Sequence, residues 1–273
     1  MVGKINALLH PRHAVRQWAI RRFGSYETKL AHGAIQRPNY GYCLYNAAKL
    51  AKRLGYPKMS AIEFGVAGGN GLISLEEHAA TISNLLQIEI EIYGFDTGEG
   101  LPRPIDYRDL PYHWKEGFYK MDRQALESRL RIAKLVLGDV ADTLGTFFDK
   151  YRPAPIGAIS FDLDFYSSTT SALAVFHGKP QFLLPRIFCY FDDTIGSEVE
   201  VYNDFTGQRL AIHEFNLEND AIKLGFPYCL LNGQISSPWR HQIWVAHLFG
   251  HPEYNKFVSD LRQQLPISGP VSP

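Results

Sequence analysis

Apolar residues recur at helical spacing over 42–54 (Leu44, Ala47, Ala48, Leu50, Ala51), and the run stops at Gly55 ahead of Pro57, both helix-ending signals. The pattern then shortens. Residues 61–66 read as a buried strand, glycines follow, and a helix is predicted from about 72 to 86. Short apolar runs at 89–95, 133–137, 156–161 and 187–191 predict four more strands, with helices over 140–150 and 167–176 between them. Strands alternating with helices in this way imply βαβ units and a parallel sheet with helices on both faces. Two further runs, 227–231 and 242–249, predict strands close enough to pair antiparallel. The expected fold class is α/β: a doubly wound, mostly parallel seven-stranded sheet with an antiparallel C-terminal pair.

Two stretches depart from this rhythm. Residues 101–130 are rich in Pro, Tyr and Trp (Pro102, Pro104, Tyr107, Tyr112, Trp114, Tyr119) and predict a lid-like insert in a domain spanning 41–265. Residues 1–40 predict a helical extension whose first 25 residues carry Lys4, Arg12, Arg16, Arg21 and Arg22 but no acidic residue. A basic start of this kind suits a transit peptide or a membrane-surface helix, or a helix packed on its own domain or on a second copy in a homodimer. A Pro/Ser-containing tail over 266–273 is expected to be flexible.

Composition narrows the classes. At 273 residues and 45% hydrophobic content, the chain can bury a large core without disulfides or structural metals. Its formal net charge of zero argues against a general nucleic-acid binder. No apolar run has the length of a membrane span. Cys43, Cys189 and Cys229 are scattered and odd in number, which fits a reducing compartment, the cytoplasm being the expectation.

The chemistry is concentrated at strand ends. Glu63-Phe64-Gly65-Val66-Ala67-Gly68-Gly69 closes the first strand, where glycines let a ligand approach the backbone and a helix N-terminus offers free N–H groups. Glu63 suits an amine-bearing ligand better than a pyrophosphate. The dinucleotide spacing G-x-G-x-x-G fails, because its third position is Ser74. Asp96 ends the second strand, where a carboxylate can accept from ribose hydroxyls or cap a turn. Asp139-Val140 follows the third strand, facing an adenine or capping the next helix. Asp162-Leu163-Asp164 and Asp192-Asp193 end the fourth and fifth strands. Four carboxylates gathered there need a cation or protons to relieve their repulsion, and oxygen-only ligands point to Mg²⁺ before Zn²⁺. A metal-dependent glycosyltransferase also uses Asp-x-Asp, but that reading leaves the glycine motif and Asp96 idle. A haloacid-dehalogenase-type phosphatase lacks room for its lysine-bearing segments between Asp162 and Asp192.

In order and type these elements resemble the macrocin O-methyltransferase family. The resemblance is carried by Glu63-Phe64-Gly65-Val66, Gly94-Phe95-Asp96 with Glu99-Gly100-Leu101-Pro102, Asp142-Thr143-Leu144, the block from Asp162 through Asp164 and Tyr166 to Ser168-Thr169, and Asp192-Asp193. It covers roughly residues 40–200. It implies a class I, S-adenosylmethionine (SAM)-dependent fold that methylates a hydroxyl of a small acceptor such as a sugar, with Mg²⁺. It further implies that Glu63, Gly65, Gly68 and Gly69 line the methionine end, Asp96 holds the ribose, and Asp139 with Val140 faces the adenine. Asp162, Asp192 and Asp193 would be metal ligands, and Asp162 or Asp164 the general base. The sequence departs from the family where Leu163 and Thr194 replace the usual Gly and Tyr, and where His177-Gly178-Lys179-Pro180 interrupts the following segment. A methyltransferase-like module without catalysis is the competing class, against which the intact glycine and acidic motifs argue together.

Overall fold

The computed structural model describes residues 11–232 and 237–261. At its centre lies β1 (Lys58–Phe64), buried along its whole length after Lys58. It pairs in parallel with β2 (Glu89–Asp96) on one side and β4 (Ile156–Phe161) on the other. The sheet continues through β3 (Lys134–Leu137) beyond β2 and β5 (Leu183–Phe191) beyond β4. β7 (Ile243–Leu248) then runs antiparallel between β5 and β6 (Ile222–Gly225), giving the order β3-β2-β1-β4-β5-β7-β6. The expected doubly wound, seven-stranded sheet is therefore present, and its central strands β1 and β4 are buried because both faces are covered.

The coverage comes from two helical layers. On one face α3 (Pro38–Leu54) and α4 (Asn70–Leu86) bury Leu44, Ala47, Ala51, Leu72, Leu75 and Ala79 against Met59, Ala61 and Ile90. On the other, α6 (Val140–Tyr151), α7 (Tyr166–Leu173) and α8 (Gly207–Glu218) bury Phe147, Leu173, Ile212 and Phe215 against Tyr93, Phe161 and Ile187. Ahead of this domain stand α1 (Pro11–Phe23) and α2 (Tyr26–Ala31), and a short α5 (Arg123–Glu127) precedes β3. Among the described residues no helix is long and apolar enough to cross a membrane. The tail expected to be flexible, 266–273, and the first ten residues of the N-terminal extension lie outside the described residues.

One row of the sheet aligns the site. Phe64 registers with Phe95 and with Phe161, and Phe161 with Phe191. Their rings lie 4.9, 5.4 and 4.4 Å apart in sequence across the sheet, a continuous aromatic seal. The next residue on each strand is Gly65, Asp96, Asp162 or Asp192. Four strands thus end level, and each delivers its functional residue to the same edge. The order reverses between β1 and β4, the crevice where open α/β sheets bind ligands.

Three expectations need correction. The stretch 227–231 is not a strand: a 3₁₀ turn occupies Tyr228–Asn232, with Tyr228 and Leu231 exposed. The partner of β7 is the four-residue β6, five residues earlier, and helix α8, which the sequence pattern did not reveal, leads into it. An apolar run of four after Pro227 cannot be told from a turn by periodicity alone. The helix expected over 167–176 leaves α geometry at Leu173 and ends as a 3₁₀ turn, Ala174–His177. Finally, β5 begins at Leu183 rather than 187. Its pairing jumps from Ile156–Leu183 to Ala158–Phe188, so Pro185 falls in the irregularity, where a missing N–H costs no ladder bond.

Candidate active site

Beyond the C-terminal edge of the sheet lies a cavity of about 510 Å³. Every residue to which the sequence assigned a cofactor, metal or catalytic role lines it: Glu63, Gly65, Gly68, Gly69, Asp96, Asp139, Val140, Asp162, Asp164, Asp192 and Asp193. The four histidines of the last third, His213, His241, His247 and His251, do not.

At one end is Glu63. Its side chain is buried, and Oε1 accepts a 2.7 Å hydrogen bond from Tyr40, while Oε2 is buried without a partner. Burial pushes its pKa up to about 8, against the opposing pull of the Tyr40 hydroxyl and the Arg37 guanidinium. The first turn of α4 leaves room for it only because residue 71 is glycine; a Cβ there would stand 1.9 Å from Glu63 Oε1.

Asp96 clasps the glycine turn. Its Oδ2 accepts from the N–H groups of Val66 and Ala67, each at 2.8 Å, and Oδ1 accepts from Gly98 at 2.6 Å. These bonds hold Ala67 in the left-handed region, φ 46°, a conformation no local pattern announces at an alanine. Asp139 caps α6, Oδ1 accepting from Ala141 at 2.8 Å, so the capping alternative is realised at a residue that also lines the cavity.

The other end is acidic. Asp193 is buried, and its Oδ2 accepts from the Asp164 N–H at 2.9 Å while Oδ1 accepts from the Tyr202 hydroxyl at 3.0 Å. Gln208 fixes this corner, accepting from the Asp193 N–H at 2.9 Å and donating to Phe161 O at 3.2 Å. Tyr190 donates to Asp192 Oδ1. Burial, with neighbouring Asp192 and Glu200, raises Asp164 to about 7. Burial and the surrounding carboxylates also push Asp162 and Asp193 well above the ordinary range.

The donor set is all oxygen, as a hard divalent cation requires. Among the described residues, however, no group of three or more His, Cys, Asp or Glu side chains is arranged as a ready-made metal cage. Tyr202, Tyr190 and the Asp164 N–H occupy oxygens that such an ion would compete for. Mg²⁺ ordinarily keeps several waters and needs only one or two carboxylates, so the chemistry of the donors fits it without a closed cage.

The insert forms a wall of the cavity through Leu101, Pro102, Trp114 and Tyr119. Buried Asp109 anchors it, accepting from Ile105 N–H and from both the N–H and Oγ of Ser167 at 2.9–3.0 Å. Glu200 reaches the cavity from the segment after β5, with His113 3.7 Å from its carboxylate and Tyr112 donating to its backbone carbonyl. Sequence reasoning missed Arg37, Glu200, Tyr202 and Gln208. Arg37 falls in the predicted N-terminal extension, where no motif marks it, and the other three sit in a stretch with no motif of its own.

No family model and no curated protein matches this chain. Solved structures do. Calicheamicin methyltransferase CalS11 is 19% identical over 80% of this chain and 82% of its own, with a TM-score of 0.52. An apo structure of CalS11, described as a TDP-rhamnose 3′-O-methyltransferase, is 18% identical over 86% and 92%, with a TM-score of 0.44. TomG from Streptomyces achromogenes, an O-methyltransferase of tomaymycin synthesis in complex with SAM, is 15% identical over 76% and 80%, with a TM-score of 0.40. The first of these likenesses fixes the fold, and the chain carries the fold of a class I methyltransferase.

Proposed function

We propose that this chain is a SAM-dependent O-methyltransferase acting on a hydroxyl of a small molecule, a sugar or a natural product, with Mg²⁺. The observation that carries the reading is a single cavity with two chemically distinct ends on this fold. A buried carboxylate with an unpartnered oxygen, Glu63, stands at one end, and Asp162, Asp164, Asp192 and Asp193 stand at the other. The motif resemblance to macrocin-type enzymes supports the same acceptor class.

In this reading Glu63, Gly65, Gly68 and Gly69 receive the methionine end of SAM. Asp96 keeps unused acceptor capacity toward a ribose after clasping the turn, and Asp139 with Val140 borders the adenine. SAM supplies an electrophilic methyl group, so the protein has to orient an acceptor oxygen in line with it. Asp162, Asp192 and Asp193 would hold Mg²⁺, which when bound supplies acidity and orientation to acceptor oxygens. Asp164, poised near neutrality and held by the Asp193 contact to its N–H, is the better placed of the two candidate bases to take the acceptor proton. The wall of Trp114 and Tyr119 faces that acceptor.

A nucleotide-sugar reading is poorer, because a pyrophosphate would set its charge against Glu63 and the aspartates. Cytoplasmic residence is supported by three free cysteines, two of them buried. Homodimer contact through the N-terminal segment is supported by exposed Val15, Trp18 and Phe23 on α1. The test of the activity is a pair of variants, Asp192→Ala and Asp193→Ala. Both should abolish methyl transfer to a hydroxylated acceptor while S-adenosylhomocysteine (SAH) still binds. Retained turnover in both, with no metal dependence in the parent, would sink the role of the acidic end.

A further inference from the structure

Arg37 is a cation placed among carboxylates with no bonded use. It lines the cavity, half-buried, and its guanidinium lies 5.1 Å from the centre of the Tyr40 ring. Tyr40 in turn donates to Glu63, so cation, ring and buried carboxylate follow one another along the same end of the cavity. Among the described residues the guanidinium donates no hydrogen bond and forms no ion pair.

The backbone at this point is strained to present it. Arg37 sits at φ 41° and ψ 63°, left-handed, directly before Pro38, a combination that sterics disfavour twice. His78 holds it there. Buried on α4, His78 donates through Nε2 to the carbonyls of Gln36 and Arg37, 3.0 and 3.3 Å away, while Nδ1 accepts from Tyr26 at 3.0 Å. Carbonyls only accept, so this pattern fixes a single neutral tautomer. Strain of this kind persists only where surrounding structure over-determines it, and it clusters at ligand sites.

One ligand feature answers both loose ends. An α-amino acid group carries an ammonium, which suits the unpartnered Glu63 Oε2, and a carboxylate, which suits a guanidinium fork. We propose that Arg37 and Glu63 form a zwitterion clamp, Arg37 taking the carboxylate and Glu63 the ammonium of an amino-acid-bearing nucleoside, with His78 as a positioning residue. The clamp rests on the reading that the cavity binds SAM. It assigns to Arg37 a recognition role distinct from mere neutralisation of the acidic end.

Calorimetric titration separates the two roles. The probes are SAH and its decarboxylated analogue, which keeps the amine and loses the carboxylate, applied to the parent, Arg37→Gln and Arg37→Lys. The parent should prefer SAH by about 10- to 100-fold, the usual worth of a charged hydrogen-bonded pair. Arg37→Gln should bind both probes within about threefold of each other, and Arg37→Lys should recover part of the preference, all three proteins melting alike. Equal weakening of both probes by Arg37→Gln, with the parent's preference retained, would overturn the clamp and leave Arg37 as a neutralising charge. Failure of SAH to bind the parent would overturn the methyltransferase reading and the clamp with it.

Discussion

Two glycines of the same turn should respond to alanine in opposite ways. Gly65 has φ +85°, and a Cβ built on it would lie 1.6 Å from the carbonyl oxygen of Asp162. That neighbour is backbone, tied to β1 by the 2.8 Å bond from Asp162 N–H to Phe64 O, so it cannot rotate away. Relief would require β1 and β4 to part at their ends by more than an ångström. The left-handed conformation costs an alanine ~1–2 kcal/mol, and overpacking of a tight site adds ~1–3 kcal/mol. Gly65→Ala should therefore lose ~2–5 kcal/mol, a fall in Tm of roughly 5–15 °C for a domain of this size. Gly68 has no neighbour within 4 Å of its notional Cβ and no positive φ. Gly68→Ala should melt within ~0.5 kcal/mol of the parent yet bind SAH more weakly, because its methyl group would enter space kept for the ligand. Differential scanning calorimetry with and without SAH reads both effects. A Gly65→Ala protein as stable as the parent would refute the steric argument, and undiminished SAH affinity in Gly68→Ala would refute the assignment of the turn to the cofactor.

Burial of Glu63 makes a second prediction. Its folded pKa, about 8, lies above its unfolded value, so its contribution to stability falls as pH rises from the unfolded pKa near 4.5 toward 8. Glu63→Gln should make the loss of stability between about pH 5 and 8 shallower, by on the order of a few kcal/mol, in ligand-free melting curves. An unchanged slope would mean that the carboxyl is solvated. Asp109 makes the third: Asp109→Ala removes three anchoring bonds beneath the insert and leaves two part-buried N–H groups without their acceptor, costing ~1–3 kcal/mol. Limited proteolysis should cut the variant faster within 101–122, and equal cutting rates would show that the insert is held elsewhere.

Legibility in the sequence followed burial. The strand ends could be read because each couples an apolar run to an abrupt Gly or Asp after a phenylalanine: Phe64-Gly65, Phe95-Asp96, Phe161-Asp162 and Phe191-Asp192. That junction is a local signal, and the register of the four rings turns it into one site. α8 and β6 gave no comparable signal. Thr206 supplies no side-chain cap, Leu217 is exposed, and β6 has only four residues. Arg37 was unreadable for a different reason. Its left-handed backbone is imposed by His78 on another helix, a contact that no local pattern encodes. Tyr202 and Gln208 likewise reach Asp193 only through the chain's return over β5 and α8.

Calorimetric titration of the parent protein with SAH, once with Mg²⁺ and once with a chelator, addresses the central claim most directly. Micromolar binding is expected in both conditions, with the metal acting afterwards on acceptor binding and turnover. Absence of SAH binding in both conditions, alongside binding of a nucleotide sugar, would contradict it and leave the methyltransferase likeness as one of fold alone.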